Sequence, residues 1–254
     1  MNISVSNLTF SYNQTDTVLK DISFSVNSGD LLCVLGPNGC GKSTLFKCLV
    51  GRFRDYEGSI RIDEKDLREL SRRDFSGSIA YVPQHFQNVY DYTVTETVLM
   101  GTARTLNALS SPGKRQLEYV QSALDMLEIT NLSDKSVNSI SGGERQLVYI
   151  ARALAQNAKA LVMDEPLSAL DFGHRTKIMN QIKSLSNKGY IIIMSTHDPS
   201  VALNISSKIL AMKKGENICF GNTSEILNEE LLSSIYDENL GIIEKNNQKL
   251  LYLK

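Results

Sequence analysis

The chain has 254 residues, 42% of them hydrophobic and 22% charged, and a formal net charge of −1 at pH 7. This is the composition of an ordinary globular protein with a sizeable core, and the near-neutral charge gives no sign of the basic face that a nucleic-acid-binding protein needs. The longest apolar runs, Leu31–Leu35 and Ile191–Met194, are too short to cross a membrane. We therefore expect any action at a membrane to depend on a partner.

Two further features concern the cellular compartment. Met1–Phe10 lacks the basic and apolar regions of a signal peptide. The four cysteines have neither C-x-x-C nor zinc-ligand spacing. Together these features favour a reduced, cytosolic location.

The first third of the chain predicts strands interrupted by one glycine-rich loop. Alternating apolar residues predict half-buried strands, whereas a continuous apolar run is typical of a strand buried in a parallel sheet. The glycine-rich loop is followed by a helix that we expect to end at Gly51. The predicted strands are Ile3–Phe10, Leu19–Val26, the continuous run Leu31–Leu35, and a further pair at Ser59–Ile62 and Ile79–Val82.

The middle of the chain, from Val94 to Gln156, predicts helices, because apolar residues recur there at three- and four-residue spacing. An alternation of strand and helix follows, and the last forty or so residues predict a hairpin, a short helix and a tail. Strands that alternate with helices indicate an α/β fold with a mostly parallel sheet. The predicted elements of this half are Leu161–Met163, Lys177–Leu185, Ile191–Ser195, Lys208–Lys213 and Ile218–Phe220.

The glycine-rich loop, Gly36-Pro37-Asn38-Gly39-Cys40-Gly41-Lys42-Ser43, matches G-x-x-x-x-G-K-[ST] between a predicted strand and a predicted helix. Backbone N–H groups of such a loop bind phosphate oxygens, the lysine reaches the β- and γ-phosphates, and the serine hydroxyl binds Mg²⁺. A chance match in a glycine-rich turn is the alternative, and the strand–loop–helix context disfavours it. The predicted ATP-binding residues here are Gly36, Asn38, Gly39, Cys40, Gly41, Lys42, Ser43 and Thr44. Bound ATP should protect the Cys40 thiol from alkylation.

Two acidic residues, Asp164 and Glu165, end the apolar strand Leu161–Met163. Ligands bind at the carboxyl ends of parallel strands, which favours Asp164 as a Mg²⁺ ligand and Glu165 as the residue that polarises the attacking water. His197 follows the next predicted strand, which is a candidate neighbour, so a hydrogen bond to the γ-phosphate is a reasonable role. A solvated turn for the acids and a structural role for the histidine are the alternatives.

A third motif, Ile140-Ser141-Gly142-Gly143-Glu144-Arg145-Gln146, precedes the acidic strand. Ser141 and Glu144 have capping-box spacing and predict a helix start, with exposed N–H groups that could bind an anion. A plain helix cap would be the interpretation in isolation. Placed between the phosphate loop and the acidic strand, the motif resembles the signature sequence of ABC ATPases.

The resemblance to the ABC ATPase family extends over essentially the whole chain, with the motifs in family order. It implies that Tyr12 stacks on adenine, that Gln84 contacts Mg²⁺ and the membrane subunits, and that His197 is the switch histidine. The stretch Ser168-Ala169-Leu170-Asp171 resembles the loop that crosses the dimer interface. Ile140, Glu144 and Leu167 depart from the usual family residues.

The resemblance implies a P-loop NTPase with a RecA-like α/β core, an N-terminal antiparallel β subdomain and an inserted α-helical signature subdomain. We expect residues 1–254 to form a single domain, with residues 1–85 and 157–254 in the core and β subdomain and residues 86–156 in the helical subdomain.

The implied activity is ATP hydrolysis with Mg²⁺ by a head-to-tail dimer, each ATP lying between the phosphate loop of one subunit and the signature of the other. The implied catalytic residues are Glu165, His197, Gln84, Lys42, Ser141, Gly143 and Asp171, and the implied metal ligands are Ser43, Gln84 and Asp164. Closure of the dimer would move separate transmembrane permease subunits at the cytoplasmic face of the membrane. An extracytoplasmic substrate-binding protein would be an indirect partner, and the paired ATPase would be a second copy or a sibling.

The finer resemblance is to the ATPases of metal-chelate importers, which carry iron–siderophore, haem or cobalamin. It depends on Leu170–His174, Thr196–Pro199 and the stretch from Tyr92 to Gly101. Import of zinc or manganese, or export, are the alternatives within transport. A DNA-repair type ATPase would need a long coiled coil, and a translation factor would need two such ATPase units. A nucleotide kinase or GTPase would make the Ser141 motif coincidental.

Overall fold

The computed structural model describes residues 1–13, 16–84, 90–106, 111–168, 170–245 and 248–254. The boundary that we expected between residues 85 and 86, and Ala169 in the predicted interface loop, lie outside the described residues. The elements of the first half are β1 (Asn2–Ser11), β2 (Thr17–Asn27), β3 (Leu31–Leu35), α1 (Lys42–Leu49), β4 (Glu57–Ile62), β5 (Lys65–Asp66), α2 (Arg72–Ser78), β6 (Ile79–Val82), α3 (Val94–Leu99) and α4 (Lys114–Met126).

The second half begins with the helix that follows the predicted signature. Its elements are α5 (Gly142–Ala155), β7 (Ala160–Met163), α6 (Phe172–Asn187), β8 (Ile191–Thr196), α7 (Pro199–Ile205), β9 (Lys208–Lys213), β10 (Glu216–Asn222), α8 (Thr223–Ile226), α9 (Glu229–Tyr236), β11 (Leu240–Lys245) and β12 (Gln248–Leu253).

Within the described residues, ten strands form one sheet in the order β5-β4-β1-β2-β10-β9-β3-β8-β7-β6. Strands β9, β3, β8, β7 and β6 are parallel neighbours, whereas β1, β2, β4 and β5 are antiparallel. The α/β fold with an antiparallel N-terminal part is therefore confirmed. Strand β10 joins the two parts, because it pairs with β9 on one side and with β2 on the other.

The apolar strand β3 shows why the centre of the sheet is buried on both faces. Leu31, Cys33 and Leu35 face the apolar cluster that contains the residues of α4, α5 and α6. Leu32 and Val34 face the second cluster, which contains α1 and the N-terminal strands. Since successive side chains of a strand point to opposite faces, a continuous apolar run is what two-sided burial requires. The loop after β3 is thereby held on a rigid support.

The described residues between Val94 and Ser141 are mainly helical, as expected, and α5, which follows them, packs against both α3 and α4. Short 3-10 turns at Met100–Thr105 and Thr130–Leu132 interrupt it. In the described part of this region the longest helix is α4, with 13 residues. A helix of that length excludes the long coiled coil of a DNA-repair ATPase from this described part. Nor does any described helix have the length and apolar character needed to cross a membrane.

Two sequence-based predictions were wrong. The strands at Ser59–Ile62 and Ile79–Val82 do not pair: β4 lies between β5 and β1, and β6 lies beside β7 at the other edge. The predicted tail after one short helix contains a second helix, α9, and the hairpin β11–β12. In the first case both segments are strands, but their neighbours are set by contacts distant in sequence. The hairpin packs on the core through Leu240, Ile242 and Leu251.

Candidate nucleotide-binding site

The phosphate loop lies between β3 and α1, with its lysine as the first residue of the helix. Lys42 is 6% exposed, and its Nζ donates to the carbonyl oxygens of Gly36 at 2.7 Å and Pro37 at 3.1 Å. Gly39 and Gly41 have φ angles of 80° and 105°, in the region that favours glycine. The lysine of the loop thus bonds to the backbone of the same loop. When a phosphate binds, Lys42 would exchange these carbonyl oxygens for phosphate oxygens.

Gly36 is required by a close approach to β9. A Cβ at this position would lie 2.3 Å from the carbonyl oxygen of Met212 and 2.7 Å from the Sγ of Cys40. The first of these neighbours is backbone and cannot move aside. Glycine therefore allows the loop to lie directly against the next strand of the sheet.

A pocket of about 360 Å³ opens beside the loop. Gln84 and Glu165, which come from the ends of β6 and β7, line it together with the loop. The structure therefore brings six of the nine predicted ATP-binding residues and three of the seven predicted catalytic residues to one cavity. Its lining residues are Val18, Asn38, Gly39, Gly41, Lys42, Ser43, Thr44, Gln84 and Glu165.

Tyr12 lies near this pocket without lining it. Its hydroxyl is 3.1 Å from the Oγ1 of Thr44, and its ring packs edge-on against Phe10 and Phe53. Half of the residue, 50%, stays exposed. An aromatic residue with an exposed surface, tied to α1, suits the stacking role that the resemblance implies, which stays a prediction.

Cys40 does not have the environment that we expected. It is 3% exposed, and burial raises the pKa of its thiol, although Lys42 acts in the opposite direction. Since the thiolate is the nucleophile, a buried thiol with a raised pKa reacts slowly. Alkylation should therefore be slow with or without ATP, and the expected protection by ATP would be hard to observe. Cys40 belongs to the apolar cluster that contains α1 and the N-terminal strands.

The acidic residues after β7 are held by a serine from the neighbouring strand β8. Asp164 is 5% exposed, and its Oδ1 accepts a hydrogen bond of 2.6 Å from the Oγ of Ser195. The same Oγ accepts from the backbone N–H of Glu165 at 2.8 Å. Ser195 therefore fixes the direction of both acids with a single hydroxyl.

The Glu165 side chain is the centre of a polar cluster at the carboxyl end of the sheet. Its Oε2 accepts from the Nε2 of Gln84 at 3.1 Å and lies 3.2 Å from the Nδ1 of His197. The hydroxyl of Tyr236, from α9, donates to the carbonyl oxygen of His197 at 2.9 Å. The φ of Glu165 is 45°, a conformation that non-glycine residues adopt at a cost. Gln84, Glu165 and His197, predicted separately, thus meet.

The predicted signature residues lie elsewhere: neither Ser141 nor Gly143 is among the described residues that line the phosphate-loop pocket. Ser141 caps α5, as predicted, and forms the capping box with Glu144. Hydrogen bonds from the Ser141 backbone and side chain lower the pKa of the Glu144 carboxyl. Asp171 caps α6. The backbone N–H and ring of His174 lower the pKa of the Asp171 carboxyl.

A family model described as "ABC transporter" matches residues 19–168. The chain belongs to the ABC transporter family. It is 35% identical over 235 residues to the molybdate import ATP-binding protein MolC of Haemophilus influenzae, covering 92% of this chain and 87% of the relative. It is 33% identical over 254 residues to an iron chelatin transport ATP-binding protein of Helicobacter pylori, with 99% of each covered.

Among solved structures, an inward-facing metal-chelate type ABC transporter superposes with a TM-score of 0.86 at 32% identity, covering 99% of this chain and 96% of that one. These matches show an ATP-binding subunit of an import system, and its activity is ATP hydrolysis coupled to transport. They confirm the resemblance to the family and to its metal-chelate importers, and they exclude the kinase and GTPase alternatives.

Four residues at these sites were missed from the sequence or given no role. Ser195 and His174 lie in segments that we named from the sequence without giving either residue a role. For Ser195 a signal was available, because a serine at the end of an apolar strand can bond to acids that end the neighbouring strand. Val18 and Tyr236 gave no local signal, because only the packing of β2 against α1 and the position of α9 bring them to the site.

Proposed function

We propose that this ABC ATPase hydrolyses MgATP as a head-to-tail dimer and drives the import of a metal chelate, such as iron–siderophore, haem or cobalamin, through separate membrane subunits. The observation that supports it best is the meeting of Gln84, Glu165 and His197 beside the phosphate-loop pocket. The γ-phosphate of an ATP bound by the loop would then meet one carboxylate that has two polar partners.

The side chains near the pocket fit Mg²⁺. A hydroxyl from Ser43, an amide oxygen from Gln84 and a carboxylate from Asp164 are oxygen donors of the kind that Mg²⁺ prefers, and it commonly keeps several waters. Ser43 and Gln84 both line the pocket. When bound, the ion would neutralise charge on the β- and γ-phosphates.

Four residues of the chain then have defined tasks in hydrolysis. Lys42 leaves the carbonyls of Gly36 and Pro37 to bind phosphate oxygens. Glu165 accepts a hydrogen bond from the attacking water and orients it, while Gln84 and His197 hold the carboxylate in place. Phosphoryl transfer needs mainly such positioning and charge stabilisation.

The signature residues support a dimer. Because Ser141 and Gly143 stand apart from the pocket of their own chain, they are available to the ATP of a second subunit. One chain alone would then hold only half of each site, and hydrolysis would depend on pairing with a second copy or a sibling ATPase. We further propose a single domain over residues 1–254, with residues 86–156 as the helical subdomain.

The proposed partners are transmembrane permease subunits, contacted on the cytoplasmic face of the membrane, with an extracytoplasmic substrate-binding protein as an indirect partner. Gln84 would relay contact with the permease to the catalytic carboxylate, since its Nε2 already bonds to Glu165. The iron chelatin relative and the metal-chelate structure favour a chelate cargo. The molybdate relative makes an oxyanion the principal competing cargo.

The test measures ATP-dependent dimerisation of the Glu165→Gln variant by size-exclusion chromatography with light scattering. This change removes the water-orienting carboxylate but keeps a side chain of the same size, so we expect ATP binding, very slow hydrolysis and a stable dimer with MgATP. The matched control is the double variant Lys42→Ala/Glu165→Gln, which should stay monomeric. Dimers that form equally without nucleotide would contradict the composite site.

The cargo is tested separately, with the ATPase and its permease reconstituted in vesicles. Stimulation of hydrolysis and uptake by an iron or corrinoid chelate, and not by molybdate, is the expected result. The reverse preference would overturn the chelate assignment and leave the ATPase mechanism intact.

A further inference from the structure

His174 joins the first turn of α6 to the signature helix. Its Nδ1 lies 2.5 Å from the Oδ2 of Asp171, and its backbone N–H donates to the Oδ1 of the same carboxylate at 3.0 Å. On its other side, the Nε2 of the ring lies 3.3 Å from the Oγ of Ser141. The imidazole thus bridges the residue that caps α6 and the residue that caps α5.

The ring also lies directly on the signature glycine. A Cβ built on Gly143 would be 2.3 Å from the Cδ2 of His174 and 2.5 Å from its Cβ. The second distance involves an atom that ring rotation cannot move. Any side chain at Gly143 would therefore force α5 and α6 apart, so the glycine permits this contact.

The hydrogen bonds of the Ser141 hydroxyl show what the His174 ring does for it. The Ser141 hydroxyl accepts from the Glu144 N–H at 3.2 Å and lies 2.8 Å from the Glu144 Oε2, to which it donates. A serine has one proton and two lone pairs. Its remaining lone pair can accept from Nε2–H of His174, while Nδ1–H donates to Asp171. Each ring nitrogen therefore has its own partner, Ser141 at Nε2 and Asp171 at Nδ1.

We propose that His174 is a positioning residue for the signature: held by Asp171, it fixes Ser141 and Gly143 in the geometry that receives the ATP of the partner subunit. The proposal rests on the proposed composite site and deepens it. It also gives Asp171 a specific task, since its carboxylate orients the ring.

The neighbouring charged groups support this arrangement. Asp171 on α6 and Glu144 on α5 are both acidic groups whose pKa values His174 helps to lower, and Lys135 acts on Glu144 from the adjoining turn.

The experiment compares three variants in the Glu165→Gln background: His174→Ala, His174→Gln and, as a matched control on the same helix, Thr176→Ala. Binding of a fluorescent ATP analogue to dilute monomer reports the phosphate loop, and analytical ultracentrifugation with MgATP reports dimer affinity. We expect unchanged monomer binding in all three. The dimer dissociation constant should rise about tenfold for His174→Ala, since net hydrogen bonds are lost at the signature, with no change for Thr176→Ala.

Rescue by glutamine distinguishes positioning from a general structural effect. Glutamine can still donate a hydrogen bond to Ser141, so His174→Gln should recover part of the dimer affinity that His174→Ala loses.

A dimer affinity of His174→Ala that equals that of the parent, or no recovery of affinity in His174→Gln, would overturn the role of His174. Failure of the parent Glu165→Gln to dimerise at all would instead contradict the proposed composite site, so the two failures are distinguishable. Weaker binding by the His174→Ala monomer would also count against the proposal, because it would assign the defect to the phosphate loop.

Discussion

Ser195→Ala tests how the acidic end of β7 is held. The change removes one hydroxyl from a fully buried position and with it two hydrogen bonds, one to the Asp164 carboxylate and one from the Glu165 N–H. A hydrogen bond to a charged group contributes about 1.5–3 kcal/mol and a neutral one about 1 kcal/mol. The expected loss is therefore about 2–4 kcal/mol in the free energy of unfolding.

The matched control is Ser186→Ala. Ser186 is also buried, at 6% exposure, and its hydroxyl makes one neutral hydrogen bond of 2.7 Å to the carbonyl of Gly29. This bond lies at the opposite end of β3 from the phosphate loop, so ATP hydrolysis should be unaffected. Its loss should cost about 1 kcal/mol.

Thermal unfolding and steady-state hydrolysis measure both effects. For a chain of this size, a loss of about 1 kcal/mol lowers Tm by about 2–4 °C, so Ser195→Ala should melt roughly 4–16 °C below the parent and Ser186→Ala a few degrees below it. Because Asp164 and Glu165 would lose the hydrogen bonds that orient them, kcat should fall by roughly 10- to 100-fold in Ser195→Ala. A Ser195→Ala protein that had the same Tm as Ser186→Ala and hydrolysed ATP at the parent rate would refute the reasoning.

Three further changes probe other contacts. Lys42→Ala should weaken ATP binding by at least about tenfold, since a buried charge-assisted contact is lost; an unchanged Kd in calorimetry would count against the phosphate-loop assignment. Tyr236→Phe removes the hydrogen bond to the His197 carbonyl and should lower kcat several-fold with little change in KM for ATP, whereas equal changes in both would point to general disruption. Gly101→Ala places a Cβ 2.0 Å from the carbonyl oxygen of Arg152; overpacking of about 1–3 kcal/mol should lower Tm, and an unaltered Tm would mean that the helices separate freely.

Local sequence was sufficient wherever one segment carried a complete physical signal. The continuous apolar run of β3 predicted a strand buried on both faces, and the Ser141–Glu144 spacing predicted the capping box that begins α5. The order of strands was not predictable in this way. β4 and β6 were both predicted as strands, but their neighbours, β1 and β7, are set by pairing with residues far along the chain.

The site shows the same division. Local motifs predicted Lys42, Glu165 and His197, and the family resemblance added Gln84; the structure brings both Gln84 and His197 into contact with Glu165. The residues that orient them could not be read in this way, because Tyr236 donates from a helix 39 positions beyond His197. Supporting contacts of this kind depend on the tertiary fold, while the residues they support follow from local chemistry.

The positive φ of Glu165 has a consequence for protein engineering. A left-handed backbone costs a non-glycine residue about 1–2 kcal/mol. Glycine or asparagine at this position would relieve this cost in the nucleotide-free protein. A mutant library selected only for heat resistance should therefore enrich inactive chains at position 165, as expected where activity and stability are in conflict. Stabilising this ATPase will require selection for turnover at every round.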